Sequence, residues 1–259
     1  MSESAKLANV HGLYLEGIRD GDASVVHRYA GERYTQHNTH VKDGKEGFIE
    51  FFEEFTKRNP QREIKILRSF VDGHMVFVQA FQNLNDGEAK WVTFDFFDTD
   101  ENDKLIEHWD VLTEYSDSAP GGHTSIDGPT EISDLEQTKE NKEIVRSMIQ
   151  DVLMAGGDPE NIDGYFSVEN YIQHNTEVPD GLKAFKAVAQ DRNRALWYQE
   201  IHHLVGSGNY VATLCRATWG GEPYAQADLY RLEGGLIVEH WEAAEKIPPR
   251  SEWVNTGKF

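Results

Sequence analysis

Residues 34–44 read YTQHNTHVKDG, and residues 171–181 read YIQHNTEVPDG. No single turn or helix cap asks for Tyr, Gln, His, Asn, Asp and Gly in one fixed order. A polar stretch written twice points to a repeated architectural unit, and with it to a repeated site. The repetition continues along the chain. IKILRSFVDGHMVFVQAFQN is answered by IHHLVGSGNYVATLCRATW, WVTFDFF by YAQADLY, and KLIEHWDVL by GLIVEHWEAA, always in the same order. A repeat of this length exceeds any solenoid unit, so each copy is expected to carry its own core. The expected division is a first domain over 1–116, a linker over 117–138, a second domain over 139–247 and a tail over 248–259. The linker is read from its Ser, Gly, Pro and acidic residues.

Within each copy, helical spacing comes first: Val10, Leu13, Tyr14 and Ile18, then Ile144, Val145, Met148 and Val152. A second short helix carries Val25, Val26 and Tyr29, or Ile162, Tyr165 and Phe166. The duplicated motif follows, and Asp43 three residues before Glu46 resembles a capping box ahead of the run KEGFIEFFEEF. Alternating strands follow, broken at Asp72-Gly73, Asp86-Gly87, Gly220-Gly221 and Gly234-Gly235. Helices followed by an antiparallel meander describe an α+β domain.

The tandem YxQHN…DG motif, the DFF or DLY strand and the closing EHWD or EHWE resemble the SnoaL-like branch of the nuclear transport factor 2-like superfamily. The resemblance covers nearly the whole chain, once per half. The ending PPRSEWVNTGKF is also similar to that of tandem members. It implies two cone domains, each a curved mixed sheet wrapped around N-terminal helices with a deep pocket inside. The family includes polyketide cyclases, isomerases, dehydratases, epoxide hydrolases and plain binding domains, so fold is implied more firmly than function.

Strand alternation puts Trp91, Thr93, Asp95 and Phe97 on one face, and Tyr224, Gln226, Asp228 and Tyr230 on its counterpart. A face mixing aromatics with one acid suits a pocket wall; on the surface the acid would be an ordinary charge. By resemblance, Asp95 and Asp228 are the candidate bases. A carboxylate among aromatics has its charged form disfavoured, which suits it to take a proton near neutral pH. His37 and His174 are candidate catalytic partners, with a structural tie of the short strand as the rival role. Tyr34, Asn38, Trp91 and His108 are candidate ligand contacts in the first copy. Tyr171, Asn175, Tyr224, Gln226, Tyr230 and His240 fill that role in the second. Trp109 and Trp241 are assigned to packing, and Asp43 and Asp180 to helix caps.

No metal site is expected, because His37-x-x-His40 and His202-His203 lack a structural-zinc pattern. No organic cofactor is expected either: a phosphate-cradling loop, a nucleophile elbow and a dinucleotide fingerprint are all missing. The net charge of −20 disfavours nucleic acid and anionic membranes as partners. The single cysteine, Cys215, and the lack of a signal pattern suggest a cytoplasmic protein. A small hydrophobic molecule is the expected partner. The fused copies would form an internal pseudo-dimer, and a further homodimer is left open. Two functions stand at this point. One is a cofactor-free acid–base enzyme acting on a small hydrophobic carbonyl compound by aldol cyclisation, isomerisation or dehydration. The other is a non-catalytic binding or dimerisation protein. If the chain is an enzyme, the donor-rich second face (Tyr224, Gln226, Tyr230) is expected to carry most of the turnover.

Overall fold

The computed structural model describes residues 3–191 and 197–259. The chain divides into two compact units. One comprises Met1–Glu114 with Pro248–Phe259, and the other Tyr115–Ile247. The segment expected as a linker is therefore part of the second unit, and the tail is part of the first.

The first unit opens with α1 (Glu3–Gly12), which widens into a π-helical turn over Leu13–Arg19, followed by α2 (Val25–Tyr29). Strand β1 (Ala30–Gln36) leads into the motif, and α3 (Gly44–Arg58) follows it. The meander is β2 (Arg62–Asp72), β3 (Met75–Leu84), β4 (Ala89–Thr99) and β5 (Leu105–Glu114). The sheet order is β1-β5-β4-β3-β2, with β1 parallel to β5 and the other pairs antiparallel. The expected glycine breaks fall in the turns between strands.

The second unit repeats this plan. Helix α4 (Thr138–Met148) also runs into a π turn, Ile149–Leu153. Then come β6 (Ile172–Gln173), α5 (Leu182–Gln190), and β7 (Trp197–Ser207), β8 (Tyr210–Trp219), β9 (Glu222–Glu233) and β10 (Leu236–Lys246). The order β6-β10-β9-β8-β7 matches the first sheet strand for strand, again with its first pair parallel. Each unit is thus an α+β domain on a mixed five-stranded sheet.

Burial explains the pairing of helices with sheet. In the first unit Val10, Leu13, Val25, Val26 and Phe52 pack on Val76, Val78 and Phe97. In the second Val145, Met148, Ile162 and Phe166 pack around Val211 and Ile237. Each such side chain contributes about 1.5–3 kcal/mol when taken from water. Val92, Phe94 and Phe96, on the opposite face of β4, are also buried, and Phe96 lies 5.2 Å from Phe77. No helix among the described residues is long and apolar enough to cross a membrane.

The conserved plan of the two motifs has a local cause. Gly44 and Gly181 have φ of +81° and +93°, a region that L side chains rarely adopt. The preceding aspartates do not cap the next helix, contrary to expectation. Asp43 Oδ1 accepts from the Gln36 backbone N–H at 2.8 Å, and Asp180 Oδ1 from that of Gln173 at 2.9 Å. The carboxylate folds the motif back on itself, and this backward bond occupies it in place of the cap.

Candidate active site

The site of the first unit is built on neighbouring strands β4 and β5 and on the motif that follows β1. Backbone register sets Asp95 opposite Asp110 and Phe97 opposite His108. These side chains face a pocket with about 590 Å³ of empty space out to its mouth. Phe48, Phe51, Phe52 and Phe55 of α3 form its apolar wall, and Gln36, Asn38, Thr93, Asp95, His108 and Asp110 its polar end. One apolar wall with a few convergent polar groups is the usual make-up of a small-molecule site.

A chain of hydrogen bonds starting at the backbone fixes the polar end. The Asn38 N–H can only donate, and it donates to Gln36 Oε1 at 3.0 Å. The Gln36 amide nitrogen is thereby turned toward His108 Nδ1, 3.1 Å away, and donates to it. His108 must then carry its proton on Nε2, which donates to Asp95 Oδ1 at 2.9 Å. Thr93 Oγ1 donates to the other oxygen of Asp95 at 2.6 Å. The result is a histidine presenting an N–H donor to a carboxylate, with Phe97 stacked 4.3 Å from the imidazole.

Two phenols stand over this pair. Burial, the Asp95 charge and hydrogen bonding with Asp95 push the Tyr14 phenol well above its ordinary value. Tyr14 sits on the π turn, where the widened helix directs it to the sheet. Burial, then the charges of Asp110 and Asp95, push the Tyr34 phenol up in the same way. Tyr34 stacks on Phe48 at 5.0 Å, and its buried hydroxyl has no hydrogen-bond partner among the described residues. It remains a protonated donor without an acceptor.

The second unit reproduces the relay with a different finish. Asn175 N donates to Gln173 Oε1 at 3.2 Å, and Gln173 Nε2 reaches His240 Nδ1 at 3.1 Å. Gln173 Oε1 is also 3.2 Å from that nitrogen, but the Asn175 N–H selects the same amide orientation as in the first unit. His240 Nε2 donates to Asp228 Oδ1 at 3.0 Å, and Tyr230 stacks on the ring at 4.7 Å. Asp228 also accepts from Tyr198, Thr213 and Gln226. Asp228 is fully buried, whereas Asp95 keeps 4% exposure and lines its pocket.

His37 and His174 do not join these pairs. On β5, alternation sends Glu107 and Trp109 to the face opposite His108 and Asp110, and His37 follows them. Its ring stacks on Trp109 at 4.7 Å, with Nε2 2.8 Å from Glu107 and Nδ1 2.8 Å from Gly257 O. His174 stacks on Trp241 at 4.6 Å and bonds Glu239 and Thr124 O. Each ring has both nitrogens directed at protein acceptors, on the sheet face opposite the Asp95 and Asp228 pairs, which is the geometry of the rival structural tie.

The remaining candidates divide. Asn38 lines the pocket and donates to Asp110 at 2.8 Å; Asn175 donates likewise to Glu242. Tyr171 is buried beside Phe166, and its hydroxyl accepts from Gln173. Trp91 and Tyr224 lie half-buried at the strand ends, Trp91 away from the pocket lining and Tyr224 against Trp219. Sequence reasoning placed Thr93 on the acid's face but missed Gln36, Gln173, Tyr14, Tyr198, Asp110 and Glu242. The duplicated Gln in the motif and the duplicated acid ending EHWD or EHWE were usable signals. Tyr14 and Tyr198 carried none.

Asp95, His108 and Asp110 offer ligand atoms within 4.8 Å of one another, as do Asp228, His240 and Glu242. Such spacing could suit a cation, and it lies outside the histidine pairs that the sequence offers. In the first unit the carboxylates already meet protein donors: His108 on Asp95, and Asn38 and Lys258 on Asp110.

Residues 12–108 match the family model of the SnoaL-like domain. The first unit carries a SnoaL-like domain. The second repeats its strand order and its Asn–Gln–His–Asp relay. The match ends at His108 and therefore includes Asp95 but neither Asp110 nor the tail. Among solved structures, TsrD from Streptomyces laurentii is 13% identical, with 43% of this chain and 90% of that one covered, at a TM-score of 0.39. A protein assigned as a SnoaL-like polyketide cyclase from Jannaschia sp. CCS1 is 20% identical over 42% and 86%, at 0.37. An LEH-like epoxide hydrolase of M. tuberculosis is 17% identical over 43% and 84%, also at 0.37. No curated protein matches the chain.

Proposed function

We propose that the first SnoaL-like unit is a cofactor-independent acid–base catalyst for a small, hydrophobic carbonyl compound. The observation that carries this reading is the Asp95–His108 pair at the polar end of a phenylalanine-walled pocket. Asp95 removes a proton from the carbon next to the carbonyl, and the electrons of that C–H bond move onto the carbonyl oxygen. His108 and Thr93 orient the carboxylate. Returning the proton elsewhere gives isomerisation. Expelling a β-hydroxyl as water, with the proton held by Asp95, gives dehydration; attack of the enolate on a second carbonyl, whose alkoxide takes that proton, gives aldol cyclisation.

The reading assigns the chemistry to the first unit rather than to the donor-rich second one. Donors on the second face are spent on the acid itself: Asp228 accepts from four side chains, which occupies its lone pairs. That unit suits binding without turnover. Cytoplasmic residence belongs to the same reading, resting on a single cysteine, Cys215, whose thiol burial pushes well above its ordinary value.

The test is exchange of the α-protons of 2-tetralone, an aromatic ketone, followed by proton NMR in D₂O. The native protein is expected to accelerate exchange, and Asp95→Asn to remove about 10²-fold or more of the acceleration. Exchange no faster than in buffer across enolisable aromatic ketones would favour a binding protein.

A further inference from the structure

The C-terminal tail places a lysine in the first unit's interior. Lys258 is only 2% exposed, and its Nζ lies 3.2 Å from Asp110 Oδ1. The tail is fastened as a built element. Asn255 Nδ2 reaches the carbonyls of Gln36, Asn38 and Val41, and Val254 N donates to Thr39 O. Gly257 N donates to Asn255 Oδ1, and Gly257 O accepts from His37.

The register supplies a reason for that cation. Asp95 and Asp110 are directly opposite on β4 and β5, and like charges so placed repel. The second unit sets Asp228 opposite Glu242 in the same way. The two sites diverge from there. Burial would raise the Asp110 carboxyl, but the Lys258 ammonium, then His108 and the Asn38 hydrogen bond, bring it below its ordinary value. Glu242 has Asn175 and the nearby His240, and burial with the Asp228 charge raises its carboxyl. One molecule thus holds the same acid pair with and without a tail-borne lysine.

We propose that Lys258 is a positioning residue of the first site: its ammonium keeps Asp110 a carboxylate, and Asp110 in turn holds Asn38 at the pocket's polar end. The catalytic part of this inference rests on the acid–base reading above. Asn38 is the residue through which the lysine acts, because its side-chain nitrogen is held by Asp110 while its backbone N–H begins the relay to His108. The groups facing Asp110 are Lys258, His108, Asp95, Tyr14 and Tyr34.

The experiment is carboxyl-carbon NMR of ¹³C-aspartate-labelled full-length protein, with 2-tetralone exchange measured on the same samples. In Lys258→Met, which keeps the apolar stem, the Asp110 midpoint is expected to rise by about one pH unit or more. Exchange is expected to fall, with a changed pH profile. In Lys258→Ala, methylammonium should restore both readouts while ethanol does not. An unmoved Asp110 midpoint would overturn the proposal, as would a loss of exchange that methylammonium fails to recover. If the midpoint shifts but the native protein never exchanges 2-tetralone, the acid–base reading fails and the charge-setting role of Lys258 stands.

Discussion

Tyr34 has a hydroxyl that does nothing for stability. It is buried without an acceptor, and such a group costs about 1–3 kcal/mol of desolvation. Tyr34→Phe is therefore expected to raise the unfolding free energy by about 1 kcal/mol in urea titration. Unchanged or lowered stability would show that the hydroxyl meets an acceptor in solution. Asp110 behaves in the opposite sense. Its folded carboxyl lies below the ordinary value of 3.8, so it contributes stability that is present above that value and lost as pH falls through the folded one. Asp110→Asn should cost about 3 kcal/mol near neutrality by taking the carboxylate away from the buried Lys258 ammonium, and the gap to the native protein should close in acid. Urea midpoints measured from pH 7 down to pH 3 would show whether it does.

Elements of the fold were legible wherever a period or a glycine announced them. β4 and β9 alternate cleanly, and the glycine-containing pairs fall in the tight turns that join the meanders. The faces were legible too, since period two alone sends His108 and Trp109 to different sides. What alternation could not give was the partner across the sheet. His108 meets Asp95 because β5 pairs with β4 in one register, and no local pattern specifies that register. Asp43 was misread for a related reason: a short acid before a helix fits a cap, but a bond back to Gln36 N satisfies it equally well. The tail was the least legible element, because Lys258 and Asp110 are 148 residues apart. Its fastening is expected to be brittle at Gly257. There φ is +118°, and an added Cβ would stand 2.2 Å from Trp253 Cζ3, so neither the backbone nor the space admits a side chain. Gly257→Ala should release the tail, read as faster cleavage after Arg250 or Lys258 by trypsin under native conditions. A cleavage rate equal to that of the native protein would show the tail to be held by other means.

For the whole molecule, two units of one design need not do one job. Composition marked 117–138 as irregular, but a Ser-, Gly- and Pro-rich segment gives no sign of which side chains its backbone will meet. Thr124 O accepts from His174, Asp127 O from Trp241 and Pro129 O from Tyr210, and these bonds make the segment part of the second unit. Each unit is thereby completed by the segment that follows the other's last strand. The tail brings Lys258 to the first site, and the residues around Asp228 close over the second. On the proposed reading, this difference makes the first unit the seat of chemistry and the second a binding or structural copy. The most direct measurement is kcat/KM for 5-nitrobenzisoxazole, whose ring opens when a base removes its one acidic C–H proton and releases a coloured phenolate. The native protein is expected to turn it over, Asp95→Asn to lose about 10²-fold or more, and Asp228→Asn to stay within about threefold of native. Equal losses in the two variants, or a loss confined to Asp228→Asn, would contradict the assignment.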